Sequence, residues 1–191
     1  GWELYERADS ALALGLVGLA TAIPVVFLAL PAGHLADRMD RKKIVIAAQF
    51  VFMGTSLALA ALSHWQGPIA LIYAVLLIGG AAQAYNNPAR SAFLPSLVPA
   101  EVFANAVTWS SSAFQASAVV GPAFGGLVIA LQHRATLAYV ADATLSGVYL
   151  LMLLAISVDG SIRNTGTALR PREPMTLKSL AAGFSFVKDT K

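Results

Sequence analysis

The sequence predicts an all-α fold, a polytopic bundle of helices threaded through a membrane. Three observations predict it. The 191 residues are 57% hydrophobic and 12% charged, where a soluble domain carries about 25% charged residues; mean hydropathy is +0.68. Charge is missing from whole stretches, with no Asp, Glu, Lys or Arg between Ile44 and Ala89 or between Phe103 and Gln132. The remaining charge is clustered: the run GHLADRMDRKK, residues 33 to 43, holds four of the thirteen Lys and Arg residues between two apolar segments.

About 20 apolar residues cross the hydrocarbon core as a helix. Five spans of that order are expected, at about 10–32, 44–62, 68–86, 106–131 and 135–158. Their Gly and Pro residues would weaken a soluble helix, but membrane helices tolerate them. Residues 1–9 read as the outer end of a truncated first helix, with Trp2 and Tyr5 at the interface. With no initiator Met and no signal peptide at that end, the chain is expected to be a fragment cut at both ends.

Lys and Arg placement sets the expected orientation. Arg38, Arg41, Lys42, Lys43, Arg90 and six residues of the tail fall on one side, and only Arg7 and Arg134 on the other. The loop 33–43, the connection 87–105 and the tail are therefore expected in the cytoplasm. The turns around Trp65 and His133 are expected outside. The net charge of +3 then reports topology and does not point to nucleic acid. Cysteine is absent, and His34, His64 and His133 show no metal-ligand spacing, so no cofactor is expected. Residues 159–191 read as a polar cytoplasmic linker followed by a short amphipathic helix at about 176–189, with Leu177, Leu180, Phe184 and Val187 at helical spacing.

Four features could carry mechanism. The first is the 33–43 loop, with Gly33, Asp37, Arg38, Asp40, Arg41 and Lys42. Gly33 would let two helices approach closely. Asp37 could pair with an Arg or sit at a helix N-terminus. The bland alternative is a plain positive-inside loop. The second is Gly121-Pro122-Ala123-Phe124-Gly125-Gly126: a bend at Pro122, with Gly121 and Gly125 on one face for close packing. The third is the connection Asn86 to Pro99, where Arg90 contacts lipid phosphate, pairs with the Asp37 loop, helps a gate, or simply snorkels to the interface. The fourth is Asp142, the only formal charge inside the five spans. It is either a proton carrier, a cation contact, or a carboxyl bonded to Thr144 or a neighbouring helix. Gln83 and Gln115 are further polar candidates for a proton or substrate path.

The pattern Gly33-x-x-x-Asp37-Arg38-x-x-Arg41-Lys42 resembles the signature loop between the second and third helices of the major facilitator superfamily. That family usually has Gly where this chain has Asp40. Gly121 to Gly126 resembles the superfamily's fifth-helix antiporter motif, and the Pro88-Ala89-Arg90-Ser91 core with Asn105-Ala106 resembles its siderophore and macrolide exporters. The resemblance implies most of one six-helix half of a transporter. It implies that Asp37, Arg38 and Arg41 latch this half to a second half, which the chain lacks, and that Gly121, Pro122, Gly125 and Gly126 form a leak-resistant hinge.

The function expected is a proton-coupled efflux antiporter for small molecules in a bacterial inner membrane, with the proton gradient as energy source. Its expected partners are the lipid bilayer, a small-molecule substrate and the missing C-terminal half. An uptake symporter or a lysolipid transporter of the same fold is the alternative. A membrane enzyme or an assembly subunit is more distant, because no paired carboxylates, His pair or nucleophile with its base is visible.

Overall fold

The computed structural model describes residues 2–132 and 134–156. They form six α-helices: α1 Trp2–Ala8, α2 Ala11–Arg38, α3 Arg41–His64, α4 Ile69–Phe93, α5 Ala100–Gln132 and α6 Thr136–Ala155, with a 3₁₀ turn at Leu94–Ser96. No strand occurs among the described residues. Helices α2 to α6 are each long and apolar enough to cross a membrane. The expected linker and the amphipathic helix at about 176–189 lie outside the described residues.

Several helices run past the expected ends of the apolar spans. Residues 33–38, expected in a loop, are the last turns of α2, and only Met39 and Asp40 separate α2 from α3. Charged residues carry no strong penalty in a helix, so the helix continues beyond the apolar stretch. Asp40 begins α3 as its N-cap, accepting from the Lys42 backbone N–H at 3.0 Å, with φ −63°. Where the family favours Gly, a negative φ with a capping carboxylate needs none. Helix α4 likewise continues through Pro88 and Arg90 to Phe93, and the backbone tightens only at Leu94–Ser96. Helix α5 has 33 residues, or about 50 Å at 1.5 Å each, more than the ~30 Å hydrocarbon core.

The turns are built by local chemistry. Between α1 and α2, Asp9 takes a left-handed conformation (φ 45°) and Ser10 caps α2 through Leu12 N–H. Asp is among the few residues that visit this region readily. After α3, Gln66 is left-handed (φ 53°) and Gly67 N–H returns to Leu62 C=O at 2.8 Å, a Schellman closure of the helix end. A Cβ at Gly67 would lie 2.5 Å from Leu62 Cδ2.

Packing runs through α2–α4, α3–α4 and α3–α6. The buried residues are mostly small, including Ala13, Ala20, Ala32, Ala36, Ala48, Ala60, Ala82, Ala84 and Ala89. In lipid, where tails are as apolar as Leu, helices associate by such close approach. Among the described helix glycines the tightest approach to another helix is at Gly80 on α4, where an added Cβ would stand 2.7 Å from the Thr21 carbonyl oxygen of α2. Nearby, Tyr73 Oη donates to Ala13 C=O at 2.9 Å. One apolar cluster joins Ala36, Ile44, Val45, Ala89, Phe93 and Leu153 at the end where α3 begins. Helix α5 buries none of its most apolar stretch against the described residues.

Candidate functional site

Helix α3 organises both ends of the bundle. At its N-terminus, Arg41 Nη1 donates to Ala92 C=O in the last turn of α4 at 2.8 Å, and Lys42 Nζ donates to Ile156 C=O at the end of α6 at 2.5 Å. The last carbonyls of a helix have no partner within it and carry its negative dipole end. Two adjacent cations on α3 thus cap two other helices. Arg38 is exposed, Asp37 lies in the last turn of α2, and the side chain of Asp37 is outside the described part of the structure. The close approach expected at Gly33 does not occur among the described residues: an added Cβ there would meet nothing within 4 Å.

At the opposite end a third cation repeats the device. Arg7 of α1 donates to Gly67 C=O at 2.9 Å, Leu62 C=O at 3.3 Å and Ser63 C=O at 3.4 Å, closing the C-terminus of α3. Arg7 also pairs with Glu3 one turn back on α1. Glu3 is buried, and Tyr139 of α6 adjoins it. Sequence reasoning used Arg7 only as a sidedness marker and missed Glu3. The signal was available in the i,i+4 spacing of the two residues.

Between these ends runs a polar seam. Gln49 Nε2 donates to Ser146 C=O at 3.3 Å, Ser56 Oγ donates to Asp142 Oδ2, and Ser63 Oγ lies 2.9 Å from Thr136 Oγ1. Gln49, Ser56 and Ser63 recur every seven residues on α3, so they share one face, and their partners descend α6 in reverse order, as antiparallel helices require. This period was readable in the sequence and was not used. Asp142 therefore bonds across to α3, while Thr144 bonds its own helix at Val140 C=O, 2.8 Å away. Of the three readings of Asp142, the bond to a neighbouring helix is the one with a partner in the structure.

The Gly-Pro motif is not close-packed against the described residues. Among the described residues, a Cβ added at Gly121, Gly125 or Gly126 would meet nothing within 4 Å. Pro122 stands inside α5, which continues on both sides of it. Gln83 and Arg90 on α4 and Gln115 on α5 are exposed, and none of these three meets Asp142 in a hydrogen bond or ion pair among the described residues. The expected site residues thus separate into a capped basic end, an open face on α5 and a seam between α3 and α6.

A family model described as transmembrane secretion effector matches residues 1–191, the whole chain. Macrolide efflux protein A of Streptococcus pyogenes is 26% identical over 189 residues, covering 98% of this chain and 45% of that protein. Multidrug efflux pump Tap of Mycobacterium tuberculosis is 30% identical over 195 residues, covering 97% of this chain and 45% of the pump. The staphyloferrin A transporter of Staphylococcus aureus is 28% identical over 137 residues, 71% of this chain and 34% of that protein. The chain thus spans a little under half the length of the first two. No solved structure matches it.

Proposed function

The chain belongs to the transmembrane secretion effector family of major facilitator transporters, and on that premise we propose that it forms part of a proton-coupled antiporter that exports small molecules. The observation that carries the reading is the family match over all 191 residues. The efflux named for two of the relatives supports the direction. Because those relatives are about twice as long, the working transporter needs a second half, and the solute sits between the halves near the midplane. The end of the bundle with Arg38, Arg41, Lys42, Lys43 and Arg90 faces the cytoplasm of a bacterial inner membrane, following the excess of Lys and Arg there.

In this reading Asp37, Arg38 and Arg41 hold the cytoplasmic end against the second half. The Arg41 bond to α4 supports that role, because it couples the α2–α3 turn to a neighbouring helix end. Gly121, Pro122, Gly125 and Gly126 form a face on α5 whose partner belongs to the rest of the transporter. Asp142 holds α6 to α3 through Ser56.

The deciding experiment is transport by the full-length protein in proteoliposomes with and without an imposed pH gradient. The expected result is gradient-dependent movement of solute toward the outer side. Movement toward the cytoplasmic side would establish an uptake symporter, and turnover of a solute without any gradient would establish an enzyme.

A further inference from the structure

Helix α2 is fastened near its two ends and loose between them. Toward the outer end Tyr73 of α4 donates to Ala13 C=O, and Ala13 and Ala20 are buried. Toward the inner end Ala32 and Ala36 are buried, and Ala36 packs in one cluster with Val45, Ala89 and Phe93. From residue 21 to residue 31 no side chain of α2 is buried, and Phe27 and Leu30 are 77% and 87% exposed. Both prolines of α2, Pro24 and Pro31, fall in that stretch. A proline has no N–H to give, and its ring crowds the carbonyl four residues back. The carbonyls of Ala20 and Phe27 therefore lose their usual donors within the helix. Two helix bonds are missing, seven residues apart, where packing on α2 is also thinnest.

The first of these prolines sits on the close crossing with α4. A Cβ at Gly80 would lie 2.7 Å from the Thr21 carbonyl oxygen and 3.3 Å from Pro24 Cγ. Gly80 thus offers α2 bare backbone to turn on, at the level of its first missing bond. Gly79 stands beside it, and paired glycines are a recurrent place for a helix to bend, so α4 can yield at the same level. Helices α3 and α6 are built differently. Neither contains proline, and Gln49, Ser56 and Ser63 of α3 tie it to α6 at three levels. One pair of helices is stitched and the other is jointed.

We infer that residues 24–31 of α2 form a flexible joint, pivoting on Gly80, that lets the inner third of α2 tilt while its outer third stays on α4. The inner third ends in Asp37 and Arg38, which the export reading makes part of the latch on the second half. The use of the joint rests on that reading; its existence does not. In the transport cycle the joint takes up movement of the latch within α2 and spares the stitched α3–α6 pair. Hinges are short stretches that absorb such changes, and packed helices accommodate them by small sliding movements. Ala32 and Ala36 suit such sliding, because each presents only a methyl group to its neighbours.

Two measurements on the full-length protein test this. Amide hydrogen exchange in nanodiscs compares residues 21–31 of α2 with residues 48–60 of α3. Exchange should be about tenfold faster in α2, as it is in a segment that opens locally. Pro24→Ala combined with Pro31→Ala restores both helix bonds and should slow α2 to the rate of α3. Equal rates in the unsubstituted protein, or a rate in α2 that the double substitution does not change, would overturn the joint. Solute turnover in proteoliposomes tests its use. The double variant should unfold at no lower a temperature than the unsubstituted protein yet turn over about tenfold more slowly, as hinge substitutions do when a conformational step limits the rate. Pro31→Ala alone, at an exposed position clear of Gly80, should slow turnover in the same direction. Gly54→Ala on α3, where an added Cβ meets nothing within 4 Å, should leave turnover unchanged. A lowered unfolding midpoint in both proline variants would make the prolines packing residues and overturn the joint. Unchanged turnover in both, or an equal fall in Gly54→Ala, would overturn its part in the cycle. Absence of turnover in the unsubstituted protein would overturn the export reading and the latch role with it, while hydrogen exchange still decides the joint.

Discussion

Individual residues decide where this bundle is rigid and where it yields. Gly80 is the sharpest case, because what an added methyl would meet is backbone: the Thr21 carbonyl oxygen at 2.7 Å and Cα at 3.1 Å. Backbone cannot rotate aside as a side chain does, so α2 and α4 must separate. Gly80→Ala should cost about 1–3 kcal/mol, the usual penalty of overpacking. Gly79→Ala, whose methyl would stand 4.0 Å from Thr55 Oγ1, should be neutral. Thermal unfolding of the detergent-solubilised full-length protein checks the pair, and equal midpoints would remove the argument for a close crossing. Asp142 poses the opposite question, since a lone carboxylate in a membrane helix invites a coupling role. Its bond from Ser56 is one that an amide oxygen accepts equally well. Asp142→Asn should therefore retain proton-driven transport. Ser56→Ala should lower stability by about 0.6 kcal/mol, typical of a hydrogen bond between membrane helices. Loss of gradient-driven transport in Asp142→Asn would make the residue a proton carrier after all.

At the scale of elements, α3 is the strut. Its first turn caps α4 and α6, its last turn is capped by α1, and its middle is stitched to α6. Arg7 tests the strut at one end. With Arg7 and Glu3 side chains 13% and 8% exposed, removing the cation takes a charged donor from three carbonyls at the end of α3 and leaves the buried Glu3 carboxylate without its counter-charge. Arg7→Gln should cost about 1.5–3 kcal/mol, the value of hydrogen bonds to a charged group. Glu3→Gln added to it should recover part of the loss, because the unpaired charge goes as well. Double-mutant unfolding measures this, and additive effects would show that the two residues do not act together. The sequence made the helices readable but not their ends. Apolar runs reveal what lipid requires, whereas Gly33, Pro88 and the charged residues around them look like breakers. A helix that protrudes beyond the bilayer is free to include them, and the true stops are the Asp40 cap, the left-handed Gln66 and the 3₁₀ turn before Leu97. The seam was hidden for another reason. Ser and Gln do not stand out in an apolar stretch, and only their period of seven marks a common face.

For the whole molecule, the uneven use of its surface matters most. Helices α2, α3, α4 and α6 bury one another, while α5 keeps an open glycine face. Sequence resemblance marked the glycine face as a place of close packing, yet among the described residues a Cβ added at Gly121, Gly125 or Gly126 would meet nothing within 4 Å; in the reading proposed above, its partner lies elsewhere in the transporter. The latch belongs to the same scale. Asp37→Asn should insert normally yet slow the transport cycle, and normal rates in proteoliposomes would remove Asp37 from the mechanism. Gly121 offers the more demanding test. Within the described residues a side chain there meets nothing, so Gly121→Leu should leave the folding of this bundle unchanged. In the complete transporter the same side chain would intrude into the proposed seal. The expected outcome is a protein with an unaltered unfolding midpoint that lets protons across without solute, followed as decay of an imposed pH gradient in proteoliposomes. A gradient held as well as by the unsubstituted protein would mean that the glycine face borders lipid, because only a lipid-facing position accepts the added bulk at no cost to either fold or seal.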